Sequence, residues 1–155
     1  MADLSDLLRP DAVLFQPAPA SKKTLFTQLA AALARQTGGD AKAIGAGLTA
    51  REKLGSTGFG GGVAIPHARL AGVEQVTGVF ARLARPIAFD AVDGLPVDLV
   101  WAQLSPVAAG ADHLKALARV SRRLRDEAFL AKLRGAASPD ALYALFTEDR
   151  ARDAA

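Results

Sequence analysis

The stretch that decides the fold spans residues 51–70 and has the sequence REKLGSTGFGGGVAIPHARL. Five glycines fall within residues 55–62, and a short apolar run, a proline and a histidine follow them. Residues 63–65 predict a short buried strand that Pro66 ends, because proline cannot donate to a strand ladder. We expect His67 to project from this strand end into a cleft. We expect the glycines to form a low, open approach to it for another protein's backbone.

Two helices are predicted before this stretch. Ser21 opens the first helix, and Gly38 ends it. Asp40 is the predicted N-cap of the second helix, which is predicted to end at Gly55. Their buried positions are spaced by four, as expected for helices that cover a core; these positions are Leu25, Leu29, Leu33, Ile44 and Leu48.

The period changes in the middle of the chain. Residues 75–83 and 96–104 are apolar on both faces, which is typical of strands covered on both sides. A helix follows Ser105, with Asp112 as a possible N-cap, and two short helices are predicted at residues 126–133 and 138–146. The expected buried stripe of the first of these helices is Leu114, Leu117, Val120 and Leu124, and residues 119–125 are expected to form a solvated basic face.

These elements predict a single α/β or α+β domain over residues 1–155, with a core at about 4–148 and a central sheet covered by helices on both faces. Residues 150–155 are expected to form a frayed tail. Half of the 155 residues are hydrophobic and 23% are charged, a composition typical of a globular protein.

The composition also limits the classes of partner and the cellular location that are expected. The formal charge of 19 − 16 = +3 is small, and the basic residues are scattered without interleaved aromatics, so nucleic-acid binding is not predicted. There are no cysteines, which fits a reducing compartment. No run approaches the roughly 20 apolar residues of a membrane span, so no membrane insertion is expected. We predict a cytoplasmic protein.

Three kinds of site fit the glycines and histidines poorly. A P-loop requires a lysine after its glycines, and a dinucleotide fingerprint requires a third glycine where Val63 stands. Two histidines without H-x-x-x-H spacing or cysteines make a zinc site a poor candidate, although carboxylates could complete one. A hydrolase would use Ser56 or Ser105 as nucleophile, but G-x-S-x-G is absent.

The remaining hypothesis is that His67 is itself the reactive group, since an imidazole can act as a covalent nucleophile near neutral pH. Phosphoryl transfer to its ring would need little beyond positioning, cations and hydrogen-bond donors. Arg51 and the hydroxyls of Ser56 and Thr57 lie at a suitable sequence distance to contact the phosphate. The residues leave open which ring nitrogen of His67 would carry it.

The pattern RE-x-L-G-STG-x-G-x-G-x-AIPH resembles the signature of phosphotransferase-system enzyme IIA domains of the fructose/mannitol class, and it looks closest to their nitrogen-regulatory branch. The likeness extends over residues 4–146. It includes LSDLLRPDAVLF (residues 4–15), IAFDAVDGLPVDLVWAQLSP (87–106) and DHLKALARVSRRLRD (112–126).

The resemblance implies a mixed sheet flanked by helices and a phosphohistidine intermediate formed without metal, nucleotide or other cofactor. The histidine of the IPH motif, here His67, accepts the phosphoryl group from a small HPr-like phosphocarrier. The family's second active-site histidine matches His113, which would hydrogen-bond the first or its phosphate. The family's active-site arginine matches Arg51, which would stabilise the phosphate.

The resemblance also implies two possible outputs. In the nitrogen-regulatory branch the phosphorylation state signals to regulatory targets such as sensor kinases or potassium-transport components. In the sugar-specific alternative the phosphate passes to a IIB domain during fructose- or mannitol-type uptake. No IIB, IIC or HPr segment is fused within these 155 residues, so we expect regulation rather than metabolic turnover.

Overall fold

The computed structural model describes residues 3–148, and the predicted tail at 150–155 lies outside them. In this part of the chain the strands are β1 (Val13–Phe15), β2 (Gly58–Gly60), β3 (Val63–Ala64), β4 (His67–Leu70), β5 (Thr77–Ile87) and β6 (Val97–Pro106). The helices are α1 (Lys22–Thr37), α2 (Ala41–Lys53), α3 (Gly110–Leu124), α4 (Glu127–Gly135) and α5 (Pro139–Thr147), with a 3-10 turn at Pro10–Ala12.

Strand β6 is the centre of the sheet. Every residue of it except Asp98 and Pro106 is buried, as expected for a strand that is apolar on both faces. On one side of β6 lies β5, which is antiparallel to β6. Strand β1 lies beyond β5 and is parallel to β5. On the other side, β3 and β4 pair with β6 in parallel at successive positions, and β2 pairs antiparallel with β3. The sheet is therefore mixed.

Helices cover both faces of this sheet, and the predicted fold class is confirmed. On one face, Trp101 of β6 contacts Phe146 of α5, with ring centroids 5.7 Å apart. Alternate residues of a strand point to opposite faces, so Val100 and Ala102 lie on the other face, where they are fully buried. Helix α1 packs against β5, β6 and α2.

The caps explain where the helices begin. Ser21 accepts a hydrogen bond from the third residue of α1, Asp40 caps α2, and Ser138 caps α5 with Pro139 at its first position. Gly38 ends α1 with a φ of +73°, a conformation that glycine adopts without strain. These predicted helix starts are confirmed, and α2 ends at Lys53, close to the predicted Gly55.

The predicted buried stripe of α3 is confirmed at Val120 and Leu124, which are fully buried, and is wrong at the start of the helix. The helix begins at Gly110 with Ala109 as its N-cap, so Asp112 lies in the first turn and caps nothing. Leu114 is 66% exposed, whereas His113 is buried. In this first turn His113 is buried in place of Leu114 because it is hydrogen-bonded to Gln103 and Ser105 of β6, an interaction that no apolar pattern reveals.

The three consecutive glycines form the tight turn between β2 and β3. Gly60, Gly61 and Gly62 have φ values of +118°, +69° and +81°, which disfavour other residues. The carbonyl of Gly62 accepts from the backbone N–H of Asp98, at the start of β6. His67 pairs with Gln103, five positions or roughly 16 Å further along β6. The predicted open approach to His67 was therefore wrong for these glycines, because strand pairing carries them to the other end of β6.

The basic segment at 119–125 is only partly a solvated face. Arg119 forms an ion pair with Asp6 at 2.8 Å. Arg123 is buried: it donates to the carbonyl of Leu145 at 2.6 Å, and its guanidinium lies 3.9 Å from the ring centroid of Phe129. This arginine therefore ties α3 to α4 and α5, which corrects the prediction of a wholly solvated surface.

The contact between β5 and Trp101 gives a test of core packing. A Cβ on Gly78 would lie 2.2 Å from Cζ2 of Trp101. We expect Gly78→Ala to lower the free energy of unfolding by about 1–3 kcal/mol, because the indole has to shift in a fully packed core. Chemical denaturation measures this change.

Gly135→Ala is the matched control, because a Cβ there meets no atom within 4 Å. That variant should change the free energy of unfolding by less than about 1 kcal/mol. Equal stabilities for the two variants would contradict the close contact at Gly78.

Candidate functional site

A cleft of about 340 Å³ lies where β4, α2 and α3 meet. The structure brings three of the predicted site residues to it from three elements: Arg51 from the last turn of α2, His67 from the first position of β4, and His113 from the first turn of α3. The two imidazole rings face each other at a centroid distance of 5.3 Å, tilted by 52°.

His67 is held by its own backbone. Pro66 lies between β3 and β4, and His67 is the first residue of β4. Its Nδ1 lies 2.8 Å from the carbonyl oxygen of Ile65. A carbonyl oxygen can only accept, so Nδ1 carries the hydrogen and Nε2 has the free lone pair.

The surroundings of His67 favour the neutral ring. Partial burial is the largest cause of its lowered pKa, and the positive charge of Arg51 lowers it further. The hydrogen bond to Ile65 and the carboxylate of Glu52 oppose these effects without reversing them. At neutral pH the ring is therefore unprotonated at one nitrogen, the state that a nucleophile requires.

His113 is almost fully buried, with 6% of its surface exposed. Its Nδ1 lies 2.6 Å from Oγ of Ser105 and 3.2 Å from Nε2 of Gln103. Burial, followed by the charges of His67 and Arg69, lowers its pKa to about 4. The second ring is therefore also neutral at pH 7 and presents Nε2 on its opposite side.

Two arginines flank the neutral rings. Arg51 donates through Nη1 to the carbonyl of Gly55 at 2.9 Å, just after the C-terminus of α2. A guanidinium has five N–H donors, so others can bind a ligand. Arg69 was not singled out from the sequence. It follows His67 by two positions on the same side of β4, and this strand periodicity is the signal that could have found it. Its Nη1 would lie 3.1 Å from a Cβ on Gly110 at the start of α3.

The hydroxyls of Ser56 and Thr57 are directed elsewhere, and neither residue lines the cleft. Thr57 donates to Oε1 of Glu52 at 2.6 Å, and Oγ of Ser56 accepts from the backbone N–H of Gly58. Burial alone would raise the pKa of Glu52. Hydrogen bonds from Lys22, Thr57 and Ser56 outweigh that effect and lower it. These hydroxyls therefore brace the loop that follows Arg51.

The cleft combines two neutral imidazole rings and two cations. Such a set can accept a group with several anionic oxygens, since cations and N–H donors stabilise the charge on them. Within residues 3–148, no three histidine, aspartate or glutamate side chains are grouped closely enough to hold a metal ion.

The model of the family described as "Phosphoenolpyruvate-dependent sugar phosphotransferase system, EIIA 2" matches residues 6–149. The chain belongs to this EIIA 2 family. The resemblance inferred from the IPH motif is thereby confirmed.

Among its EIIA 2 relatives, the chain is similar to proteins named for nitrogen regulation. It is 49% identical to the nitrogen regulatory protein of Bradyrhizobium diazoefficiens over 92% of this chain and 93% of that one. It is 40% identical to the nitrogen regulatory protein of Pseudomonas aeruginosa over 96% of this chain and 97% of that one. The crystal structure of nitrogen regulatory protein IIA-Ntr from Neisseria meningitidis superposes with a TM-score of 0.88 at 37% identity, covering 93% of this chain and 99% of that one.

These similarities favour a nitrogen-regulatory function for this EIIA 2 chain over a sugar-specific function. Membership of the EIIA 2 family implies phosphocarrier and IIB-type partners in general. None of the helices in the described part of the chain has the length and apolar character to cross a membrane.

The charge of Arg51 gives a test of the site's electrostatics. Arg51→Gln removes a cation that disfavours imidazolium formation, so we expect the pKa of His67 to rise. NMR titration of the ring carbons of His67 measures this pKa. Lys53→Gln is the control, since Lys53 is an exposed cation at the same helix end. A pKa that is unchanged or lower in Arg51→Gln would contradict the proximity of the two groups.

Proposed function

We propose that Nε2 of His67 accepts a phosphoryl group from the phosphohistidine of an HPr-like carrier, and that the phosphorylation state of this chain is its output. The observation that carries the proposal is the hydrogen bond from Nδ1 to the carbonyl of Ile65. It leaves Nε2 as the nitrogen with a free lone pair in a cleft lined by cations.

The transfer is a displacement at phosphorus. A bond forms between Nε2 of His67 and the phosphorus, while the phosphorus–nitrogen bond of the carrier breaks and its electron pair returns to the carrier's ring. The accepting ring becomes positively charged as its second nitrogen is substituted. The carbonyl of Ile65 stabilises that charge, because it already accepts the Nδ1 hydrogen.

The remaining residues act on the phosphoryl oxygens. Arg51 and Arg69 supply positive charge, and His113 supplies a neutral ring. A neutral ring is suited to this role because a second imidazolium would repel the charged ring that forms on His67. We assign Ser56 and Thr57 to bracing the loop beside Arg51 rather than to contact with phosphate, because Glu52 and the backbone engage their hydroxyls.

Phosphorylation would add nearly two negative charges to a cleft flanked by two arginines. Such a change alters which protein surfaces can dock, and this supports a signalling role. We place the exchange in the cytoplasm, with sensor kinases or potassium-transport components as regulatory targets. The nitrogen-regulatory names of the relatives support this choice over transfer to a IIB domain.

The proposal is tested by incubating the chain with enzyme I, an HPr-like carrier and labelled phosphoenolpyruvate. We expect acid-labile label on the wild type and none on His67→Gln, because the amide has no nucleophilic ring nitrogen. Folding of the variant is checked by its thermal unfolding. Absence of label on the wild type, or equal label on the variant, would refute the assignment. Onward transfer of label to a IIB domain would favour the sugar-specific alternative.

The role assigned to Arg69 has its own test. We expect Arg69→Gln to slow phosphoryl transfer to His67 by roughly 10- to 150-fold, corresponding to loss of a charged hydrogen bond of about 1.5–3 kcal/mol. Single-turnover transfer from the phosphorylated carrier measures the rate. Arg35→Gln, at an exposed position of α1, makes the same change in net charge outside the cleft and should leave the rate unchanged. Equal rates for the two variants would remove Arg69 from the site.

A further inference from the structure

Three residues of β6 form a polar cluster behind the cleft. Trp101, Gln103 and Ser105 alternate along the strand and so lie on the same face of the sheet. All three are fully buried, and their polar atoms lead from the core to His113. A buried donor or acceptor is costly unless it has a hydrogen-bond partner. Each donor in this cluster must therefore face an acceptor, which constrains the direction of each hydrogen bond.

The indole of Trp101 sets the orientation of the Gln103 amide. Its Nε1–H can only donate, and it lies 3.3 Å from Oε1 of Gln103. The amide oxygen therefore faces Trp101, and the amide NH₂ group faces α3. There the NH₂ nitrogen lies 3.2 Å from the carbonyl oxygen of His113 and 3.2 Å from Nδ1 of its ring.

An NH₂ group cannot accept a hydrogen bond, so a proton on Nδ1 of His113 would point at another donor. The hydroxyl of Ser105 does not impose a direction, because it can donate to Nδ1 or accept from it. Gln103 is therefore the residue that determines which nitrogen of His113 carries the hydrogen.

We propose that Gln103, oriented by Trp101, is a positioning residue that holds His113 in the tautomer with its hydrogen on Nε2. In this state the ring offers an N–H donor on the side away from β6. The opposite tautomer would present a lone pair there, which would repel the oxygens of a phosphoryl group.

Gln103 also supports the other histidine. Its backbone N–H donates to the carbonyl of Pro66 at 3.0 Å, and its Cα pairs with that of His67 in the β4–β6 register. One residue therefore fixes the strand position of His67 through its backbone and the tautomer of His113 through its side chain.

The inference deepens the proposed function and rests on it for its consequence, but the tautomer can be measured without any phosphoryl transfer. In ¹⁵N NMR spectra of the unphosphorylated protein at pH 7, we expect His113 to show a protonated Nε2 and an unprotonated Nδ1. A protonated Nδ1 in the wild type would overturn the proposal.

Gln103→Glu tests the cause. The carboxylate has nearly the same shape but accepts where the amide donates. An imidazole is more basic than a carboxylate, so we expect Nδ1 to carry a proton and the pKa of His113 to rise. The charged and titratable groups near the ring, which are His67, Arg69 and Arg51, are unchanged in this variant. An Nδ1 that remains unprotonated in Gln103→Glu would overturn the proposal.

Ser105→Ala is the matched control, since it removes a buried partner of the same nitrogen and keeps the amide. We expect the Nε2–H tautomer to persist in this variant. A mixture of tautomers in Ser105→Ala would transfer the role to Ser105 and refute the assignment to Gln103.

The consequence for transfer is measured separately. We expect Gln103→Glu to slow phosphorylation of His67 by roughly tenfold or more, as when the partner that orients a catalytic imidazole is changed. An inverted tautomer with an unchanged rate would refute the role of His113 as donor. If neither the wild type nor any variant is phosphorylated, but the ¹⁵N spectra show the expected tautomers, the proposed function fails and the tautomer assignment stands.

Discussion

The parallel pairing of β4 with β6 is the constraint on which the site depends. Its register sets His67 opposite Gln103 and Arg69 opposite Ser105, so that all four side chains lie on the face covered by α3. A slip of one residue would turn His67 to the other face and away from His113. The distance between the two imidazoles is therefore determined by the strand register and by the packing of α3 against β6.

The electrostatics of the cleft follow from this geometry. Burial and neighbouring positive charge lower the pKa of both histidines, and Arg51 and Arg69 line the same cleft. Two cations beside two uncharged rings give the cleft a net positive charge, which an anionic group would neutralise. Preorganised charges of this kind stabilise a phosphoryl group without reorganisation during transfer. Under the proposed function, a phosphoryl group on His67 would offset this positive charge.

Several residues that look functional in the sequence have structural roles. The consecutive glycines make a hairpin turn at the far end of β6, where Arg134 contacts Gly61 and Asp98. Arg123, within a basic run, contacts the end of α5 from a buried position. Glycine and arginine each serve several purposes, so their roles depend on which elements pack beside them.

The amino-acid sequence by itself determined the helix starts at Ser21, Asp40 and Ser138, the two long strands, and the motif that identifies the family. These features are local, because caps and hydrophobic periods involve residues a few positions apart. The short strands β1, β2 and β4, the burial of His113 and the cleft position of Arg69 were decided only by the tertiary structure. Two to four residues carry too little periodicity to predict a strand, and a side chain's partner across the sheet is set by register, which no local pattern encodes.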